Sequence, residues 1–187
     1  HVLDWLRDNQ PDVLCLQETK QEDSKFPYEA LKVAGYDAIH IGQKTYNGVA
    51  ILSRHSLTHI QRNIPNFDDD HQRIIAADIN GIRIVCAYIP NGQTVDSEKY
   101  QYKMRWLAAL TDWLRTELIA HPKLILLGDY NIATEERDCH DPAAWLGHIL
   151  FSHAESEAFQ KLGTLCLKCS FRLIERADKI FSLWELG

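Results

Sequence analysis

Two short runs of consecutive apolar residues, each followed by a carboxylate, constrain this chain most. Residues 13–16 and 124–127 are continuous apolar runs of the kind found in strands buried on both faces of a sheet. The first run leads to Glu18 and the second to Asp129. A carboxylate at the end of a buried strand is costly unless it is hydrogen-bonded or holds a cation. The pattern therefore predicts a chemical site at the edge of a sheet.

The rest of the chain interleaves strands and helices. Amphipathic or capped segments predict helices at residues 1–10, 97–121 and 155–162, and a further helix between Pro27 and Gly35. Strand-like runs occupy residues 36–41, 48–52, 73–79 and 83–89, and Asn80-Gly81 between the last two predicts a hairpin. The final segment, residues 171–187, is weakly patterned. We therefore expect an α/β fold with a mixed β-sheet covered by helices.

Composition narrows the class of protein. With 45% apolar and 25% charged residues, the chain is neither disordered nor membrane-spanning. A formal charge of −6 disfavours binding of nucleic acid by bulk positive charge. It does not exclude a nuclease, whose site needs carboxylates to hold a divalent metal. The odd number of cysteines, five, indicates reduced thiols in a reducing compartment.

Asp129 and Asn131 form the most suggestive pair. They are two residues apart, so in an extended segment their side chains point to the same side, and Gly128 leaves room for close backbone approach. Such a pair can engage a nucleophilic water and a phosphate oxygen. Two simpler interpretations stay open at this point: the pair only makes a turn, and Glu18 only pairs with a lysine such as Lys20.

Four motifs occur in a specific order along the chain. They are residues 16–20 (Leu-Gln-Glu-Thr-Lys), 48–51 (Gly-Val-Ala-Ile), 88–92 (Tyr-Ile-Pro-Asn-Gly) and 128–132 (Gly-Asp-Tyr-Asn-Ile). Together they resemble the exodeoxyribonuclease III family of abasic-site endonucleases, within the endonuclease/exonuclease/phosphatase superfamily. The resemblance runs from His1 to about Arg172.

This resemblance implies a four-layered α/β sandwich that hydrolyses phosphodiesters with Mg²⁺ or Mn²⁺. The implied substrate is double-stranded DNA with abasic sites or 3′ ends, and the implied enzyme is a monomer when complete, in the cytoplasm at the nucleoid. By resemblance Glu18 is a metal ligand, Asp129 helps to activate water and Asn131 orients the phosphate. Tyr88 is a hydrogen-bonding group on the phosphate side. Two further residues would lie near the DNA, namely Arg73 and Asn91.

The chain also departs from the family pattern. It starts at His1, before which family members have a strand, and its only methionine is Met104. Family members continue beyond Gly187 into a second sheet and a Ser-Asp-His motif. We therefore expect residues 1–187 to form a single, incomplete domain, a partial sandwich that supplies essentially one sheet and has impaired activity.

Two alternative functions and two further motifs stay open from the sequence. The chain could be a non-catalytic remnant that at most binds DNA or a partner, or a phosphatase of phosphoinositides or lipids, although residues 88–92 favour the DNA branch. Lys99, Lys103 and Arg105 begin a helix and could meet phosphates or form a solvated face. Cys166-x-x-Cys169 is a weak half-site for zinc, and two ordinary thiols are the simpler interpretation.

Overall fold

The computed structural model describes residues 1–170 and 173, in which seven strands, five α-helices and two short 3₁₀ helices, Asp23–Lys25 and Glu136–Asp138, occur. The strands are β1 Val13–Gln17, β2 Asp37–Ile41, β3 Val49–Ser53, β4 Thr58–Arg62, β5 Ile74–Ile79, β6 Ile82–Tyr88 and β7 Leu124–Asp129. The helices are α1 Val2–Asn9, α2 Tyr28–Val33, α3 Glu98–Ala120, α4 Pro142–Trp145 and α5 His153–Gly163. The described part of the chain divides into a first unit, residues 1–88 and 117–130, and a second unit, which contains residues 89–116 and the described residues from 131 onward.

The first unit contains two sheets. One is antiparallel with the order β1-β3-β2, and the other has the order β4-β5-β6-β7, in which only the β6–β7 pair is parallel. The predicted hairpin is confirmed, because Ile79 pairs with Ile82 and the two turn residues have φ of 50° and 76°. Strand β4, which has no continuous apolar run, was not predicted from the sequence.

The main core of the first unit lies between the two sheets. Buried residues of β2 and β3 pack there against buried residues of β5 and β6, namely Ile39, Ile41, Val49, Ile51, Ile75, Ala77, Ile79, Ile84 and Cys86. The expectation that the chain supplies essentially one sheet is therefore wrong. Strand β3 already has β1 and β2 on its two edges, so the later strands form a second sheet that packs face to face on the first.

A second core covers the other face of the three-stranded sheet. Alternate residues of β3, Ala50 and Leu52, pack there with Leu6 of α1 and Leu31 of α2. Strand β3 is thus buried on both faces, and its continuous apolar sequence agrees with that position. The mixed α/β architecture of sheets covered by helices is confirmed.

The two strands that precede the candidate carboxylates are less buried than the sequence predicts. Among the described residues, β1 and β7 each pair with one neighbour and lie at the edge of their sheets. Every residue of β1 is half-buried, and Ile125 of β7 is 44% exposed. The prediction that both are buried central strands is wrong, because apolar runs report hydrophobicity and not which neighbours a strand acquires.

The second unit contains most of α3 and the helices α4 and α5. The apolar face of α3 is buried as predicted, and Trp106 and Trp113 belong to it. The predicted capping box at the start of α5 is confirmed, with Ser152 and Glu155 bonded reciprocally. The prediction for residues 171–187 lies, except for residue 173, outside the described residues. None of the helices in the described part combines the length and apolar composition needed to cross a bilayer.

Candidate active site

Glu18 lies directly after β1 and carries an ionised carboxylate. Its side chain is 43% exposed; Oε1 accepts a hydrogen bond of 2.9 Å from the Tyr88 hydroxyl, and Oε2 lies 2.8 Å from the Lys20 ammonium. Lys20 first, and Tyr88 second, hold the pKa of Glu18 below its usual value. The pairing with Lys20, kept above as the simpler interpretation, is present here. It occupies one carboxylate oxygen with the ammonium of an exposed lysine.

A series of polar contacts holds the loop that carries Glu18. Glu18 itself has a φ of 51°, in the left-handed region that non-glycine residues seldom adopt. The next residue, Thr19, donates its N–H to the Gly48 carbonyl at 3.2 Å, and its hydroxyl lies 2.8 Å from His40 Nε2. His40 is buried, and its Nδ1 lies 2.9 Å from Asp23 Oδ1. These contacts fix the backbone that presents Glu18.

Sequence reasoning missed this support. Burial lowers the pKa of His40, against an opposing effect of Asp23, so the imidazole is neutral at neutral pH. Residues 19, 23 and 40 share no short motif, since they come from a loop, a turn and strand β2. Only the three-dimensional structure shows that these three residues are in contact.

Tyr88 ends strand β6 beside Glu18 and keeps its phenolic proton. Arg73 Nη1 donates to the Tyr88 carbonyl at 3.2 Å, and the guanidinium lies 4.8 Å from the centre of the tyrosine ring. Burial, and then the hydrogen bond to Glu18, raise the pKa of Tyr88 to about 12. The hydroxyl is therefore a neutral hydrogen-bond donor at any physiological pH. The first unit brings Glu18, Arg73 and Tyr88 into one cluster.

Asp129 ends strand β7 next to this cluster. In the parallel β6–β7 ladder it is in register with Tyr88, and its charge contributes to the raised pKa of that tyrosine. The preceding Gly128 has a φ of 145°, and a Cβ there would lie 1.8 Å from the Ala87 carbonyl oxygen. Only glycine fits this close approach of the two strands, as the sequence suggested. Gly128 thus determines where Asp129 leaves the sheet.

Asn91 and Asn131 meet in the second unit. The amide of Asn91 donates to Asn131 Oδ1 at 3.3 Å, and the amide of Asn131 donates to the Ile89 carbonyl at 3.0 Å. Asn131 has a φ of 48°, which is left-handed and not extended. The argument that an extended segment turns Asp129 and Asn131 to the same side is therefore wrong in its premise.

The predicted basic start of α3 is divided between surface and interior. Lys99 and Arg105 are exposed, whereas Lys103 is fully buried and ion-paired with Glu155. Lys103 therefore belongs neither to a solvated face nor to a surface that meets phosphates. Helical position alone predicted exposure, because the partner that draws Lys103 inward lies 52 residues away.

The donor set suits a hard cation held weakly. Among residues 1–170 and 173, no three His, Cys, Asp or Glu side chains cluster as a metal site. Mg²⁺ is usually bound by one or two carboxylates and keeps several waters, so the single carboxylate of Glu18 fits it. The Lys20 ammonium at 2.8 Å shows that this carboxylate attracts a cation.

Comparisons with known proteins agree with the family resemblance of the sequence motifs. The family model described as the Endonuclease/Exonuclease/phosphatase family matches residues 1–181. Exodeoxyribonuclease III of Haemophilus influenzae is 34% identical over 189 residues, which cover 94% of this chain and 71% of that protein.

Two solved structures share the fold. A 3′ phosphatase, NExo from Neisseria, bound to a product DNA hairpin, is 45% identical with a TM-score of 0.86. An AP endonuclease from Archaeoglobus fulgidus is 37% identical with a TM-score of 0.84. Each comparison covers 88% of this chain, and the chain spans 64% of the length of each of these two structures.

Proposed function

Since the chain belongs to the endonuclease/exonuclease/phosphatase family, we propose that it is a metal-dependent phosphodiesterase of DNA repair. Its proposed substrate is double-stranded DNA with abasic sites or 3′ ends, which places its action inside the cell. One observation carries the proposal: the Glu18 carboxylate is bonded to the Tyr88 phenol, beside Asp129 at the end of the next strand. As one incomplete domain, the chain alone is expected to turn over slowly.

In this proposal Glu18 would hold Mg²⁺ or Mn²⁺. A bound ion of this kind supplies polarisation of a phosphoryl oxygen and stabilisation of the leaving oxygen. On substrate binding the Tyr88 hydroxyl, whose single proton is bonded to Glu18 here, would donate its hydrogen bond to a phosphate oxygen instead, and the Arg73 guanidinium against its ring adds positive charge for the DNA backbone. The carboxylate of Asp129 accepts the proton of the attacking water.

The asparagines serve the phosphate in the same proposal. Side-chain amides are neutral donors that can hold a phosphate oxygen without competing for the metal. Asn131 is assigned this role, and Asn91 is assigned a contact with the DNA. Their mutual hydrogen bond of 3.3 Å is the support for treating them as one group.

Removal of a 3′ phosphate is a second candidate activity. The observation that favours it is the higher identity to NExo of Neisseria, 45%, which is described as a 3′ phosphatase and also as a 3′-5′ exonuclease, than to the archaeal AP endonuclease, 37%. Both activities hydrolyse a phosphate ester of DNA, so the same carboxylates and donors would serve either one. They differ in what the site accepts beyond the reacting phosphate.

Labelled duplexes test both candidates. One carries an abasic site, one ends in a 3′ phosphate, and inositol phosphates serve as the competing substrate class. The proteins compared are this chain, a version extended at both ends with segments of a family member, and Asp129→Asn in each. We expect the extended version to act on DNA with Mg²⁺, and the unextended chain to be slower by about 10²-fold or more.

The same assay can refute the proposal. Asp129→Asn should abolish the activity of the extended version. Full activity of that variant would remove Asp129 from the site, and hydrolysis of inositol phosphates in preference to DNA would assign the chain to another branch. Binding of DNA without turnover in the extended version would support a non-catalytic remnant.

A further inference from the structure

Lys103 of α3 is a fully buried lysine whose ammonium has three defined acceptors. Its Nζ donates to the Asn91 carbonyl at 3.1 Å and to the Asn131 carbonyl at 2.6 Å, and it pairs with the carboxylate of Glu155. An ammonium has three donors, so each proton has a partner here. Lysine is almost never fully buried unless it is paired in this way.

The carboxylate of Glu155 does not depend on Lys103 for its hydrogen bonds. It accepts from the Ser152 N–H at 3.0 Å, from the Ser152 hydroxyl at 2.6 Å and from the Leu150 N–H at 3.2 Å. These bonds complete the cap of α5. Burial of a lysine is therefore not needed to cap this helix. The cap does not explain the two other hydrogen bonds of the ammonium, to the carbonyls of Asn91 and Asn131.

Those two bonds end on two separate segments of the candidate site. Asn91 and Asn131 are 40 residues apart, and the ammonium holds the backbone carbonyl of each while their side chains bond to one another. Asn131 also has a left-handed φ of 48°, a conformation that asparagine adopts more readily than most other non-glycine residues. A single buried cation thus fixes both backbones from which the two amides project.

We propose that Lys103 is a positioning residue that holds Asn91 and Asn131 in register for the substrate phosphate. The assignment of a phosphate to these amides rests on the function proposed above; the assignment of the two asparagines to Lys103 rests on the contacts alone. Lys103 acts through the asparagines and does not touch the substrate, because its ammonium is enclosed by protein acceptors.

A pair of variants separates positioning from folding. Lys103→Met leaves the Glu155 carboxylate buried without its cation, which should lower the unfolding temperature strongly. Adding Glu155→Gln removes that buried charge while its amide oxygen still accepts from Ser152, so the double variant should recover most of the lost stability. It cannot recover the two donors to Asn91 and Asn131.

The readout is the state of the two asparagines. In ¹⁵N spectra of the double variant we expect shifted or broadened side-chain amides of Asn91 and Asn131, and hydrogen exchange of those amides at least about tenfold faster. The matched control is Arg83→Met with Glu117→Gln, which removes an ion pair of 2.7 Å between the buried Arg83 and the half-buried Glu117 in the first unit. This control should lower stability and leave both asparagine amides unchanged.

If the double variant folds and the side-chain amides of Asn91 and Asn131 have the same shifts and exchange rates as in the unaltered protein, the proposal is overturned. If the double variant does not fold, NMR of the unaltered protein tests the proposal instead. Slowly exchanging Lys103 ammonium protons with couplings to both asparagine carbonyls would support the proposal. Couplings to Glu155 alone would overturn it. In the extended version, the double variant should lower kcat about tenfold with little change in KM. Moved amides in a protein that hydrolyses no DNA would uphold the role of Lys103 and refute the proposed function.

Discussion

Replacement of Gly128 by alanine tests how the fold places Asp129. A Cβ at this position would lie 1.8 Å from the carbonyl oxygen of Ala87, and real Cβ contacts are essentially never closer than 3.0 Å. The obstacle is strand backbone, which cannot rotate away as a side chain can. The two strands must therefore separate by more than an ångström where Gly128 pairs with Ala87 and Asp129 pairs with Tyr88.

Two terms set the size of the effect. Forcing alanine into a backbone region that only glycine populates costs on the order of 1–3 kcal/mol. Loss of two ladder hydrogen bonds adds roughly 0.5–1.5 kcal/mol each. We expect Gly128→Ala to lower the free energy of unfolding by about 2–6 kcal/mol, taking these two terms together.

Gly35→Ala is the matched control for this experiment. Gly35 also has a positive φ, 86°, but a Cβ there meets nothing within 4 Å. It should cost only the conformational term, about 1–2 kcal/mol. Urea unfolding of both variants measures the difference, and ¹⁵N spectra report whether the amides of Tyr88 and Asp129 move. Equal destabilisation by the two substitutions would refute the claim that close strand approach requires glycine at position 128.

Three other predictions follow from the same structure. Lys20→Met should tighten Mn²⁺ binding several-fold by removing the cation at 2.8 Å from Glu18, and Glu18→Gln should weaken it by about tenfold or more. Paramagnetic broadening measures both effects, and unchanged binding in either variant contradicts the assignment. The Tyr88 hydroxyl should ionise with a pKa of about 12. Its contribution to stability should therefore persist through pH 10 and be lost as the pH rises through 12. A ¹³C titration with Tyr88→Phe as reference checks this, and ionisation near pH 10 would contradict it. Ile51 is fully enclosed between the sheets, so Ile51→Ala should lower the free energy of unfolding by about 2–5 kcal/mol, measured by urea unfolding. Ile119 is 81% exposed, so Ile119→Ala should change it by no more than about 0.5 kcal/mol. Similar losses in the two variants would contradict the two-sheet core.

Local features of the fold were predictable from the sequence. The Asn80-Gly81 turn, the apolar face of α3 and the cap of α5 each depend on residues a few positions apart, and each is confirmed. Strand β4 was missed because Thr-His-Ile-Gln-Arg has neither a continuous apolar run nor a marked turn before it. Its pairing with β5 comes from the tertiary structure and not from its own pattern.

Features that depend on distant partners were not predictable. The burial of β1 and β7 was overestimated, since apolar residues specify a strand but not how many neighbours pair with it. Lys103 was assigned to the surface, although Glu155, 52 residues later, makes its burial possible. The support of Glu18 by Thr19 and His40 escaped detection for the same reason.

The dependence of DNA cleavage on Mn²⁺ concentration tests the central claim most directly. The claim is that the Glu18 carboxylate, bonded to Tyr88 and Lys20, holds the ion that the reaction needs. With the extended version and a labelled abasic duplex, Glu18→Gln should raise the half-saturating Mn²⁺ concentration by about tenfold or more, as loss of a charged ligand requires. The same half-saturating concentration in both proteins would contradict the account.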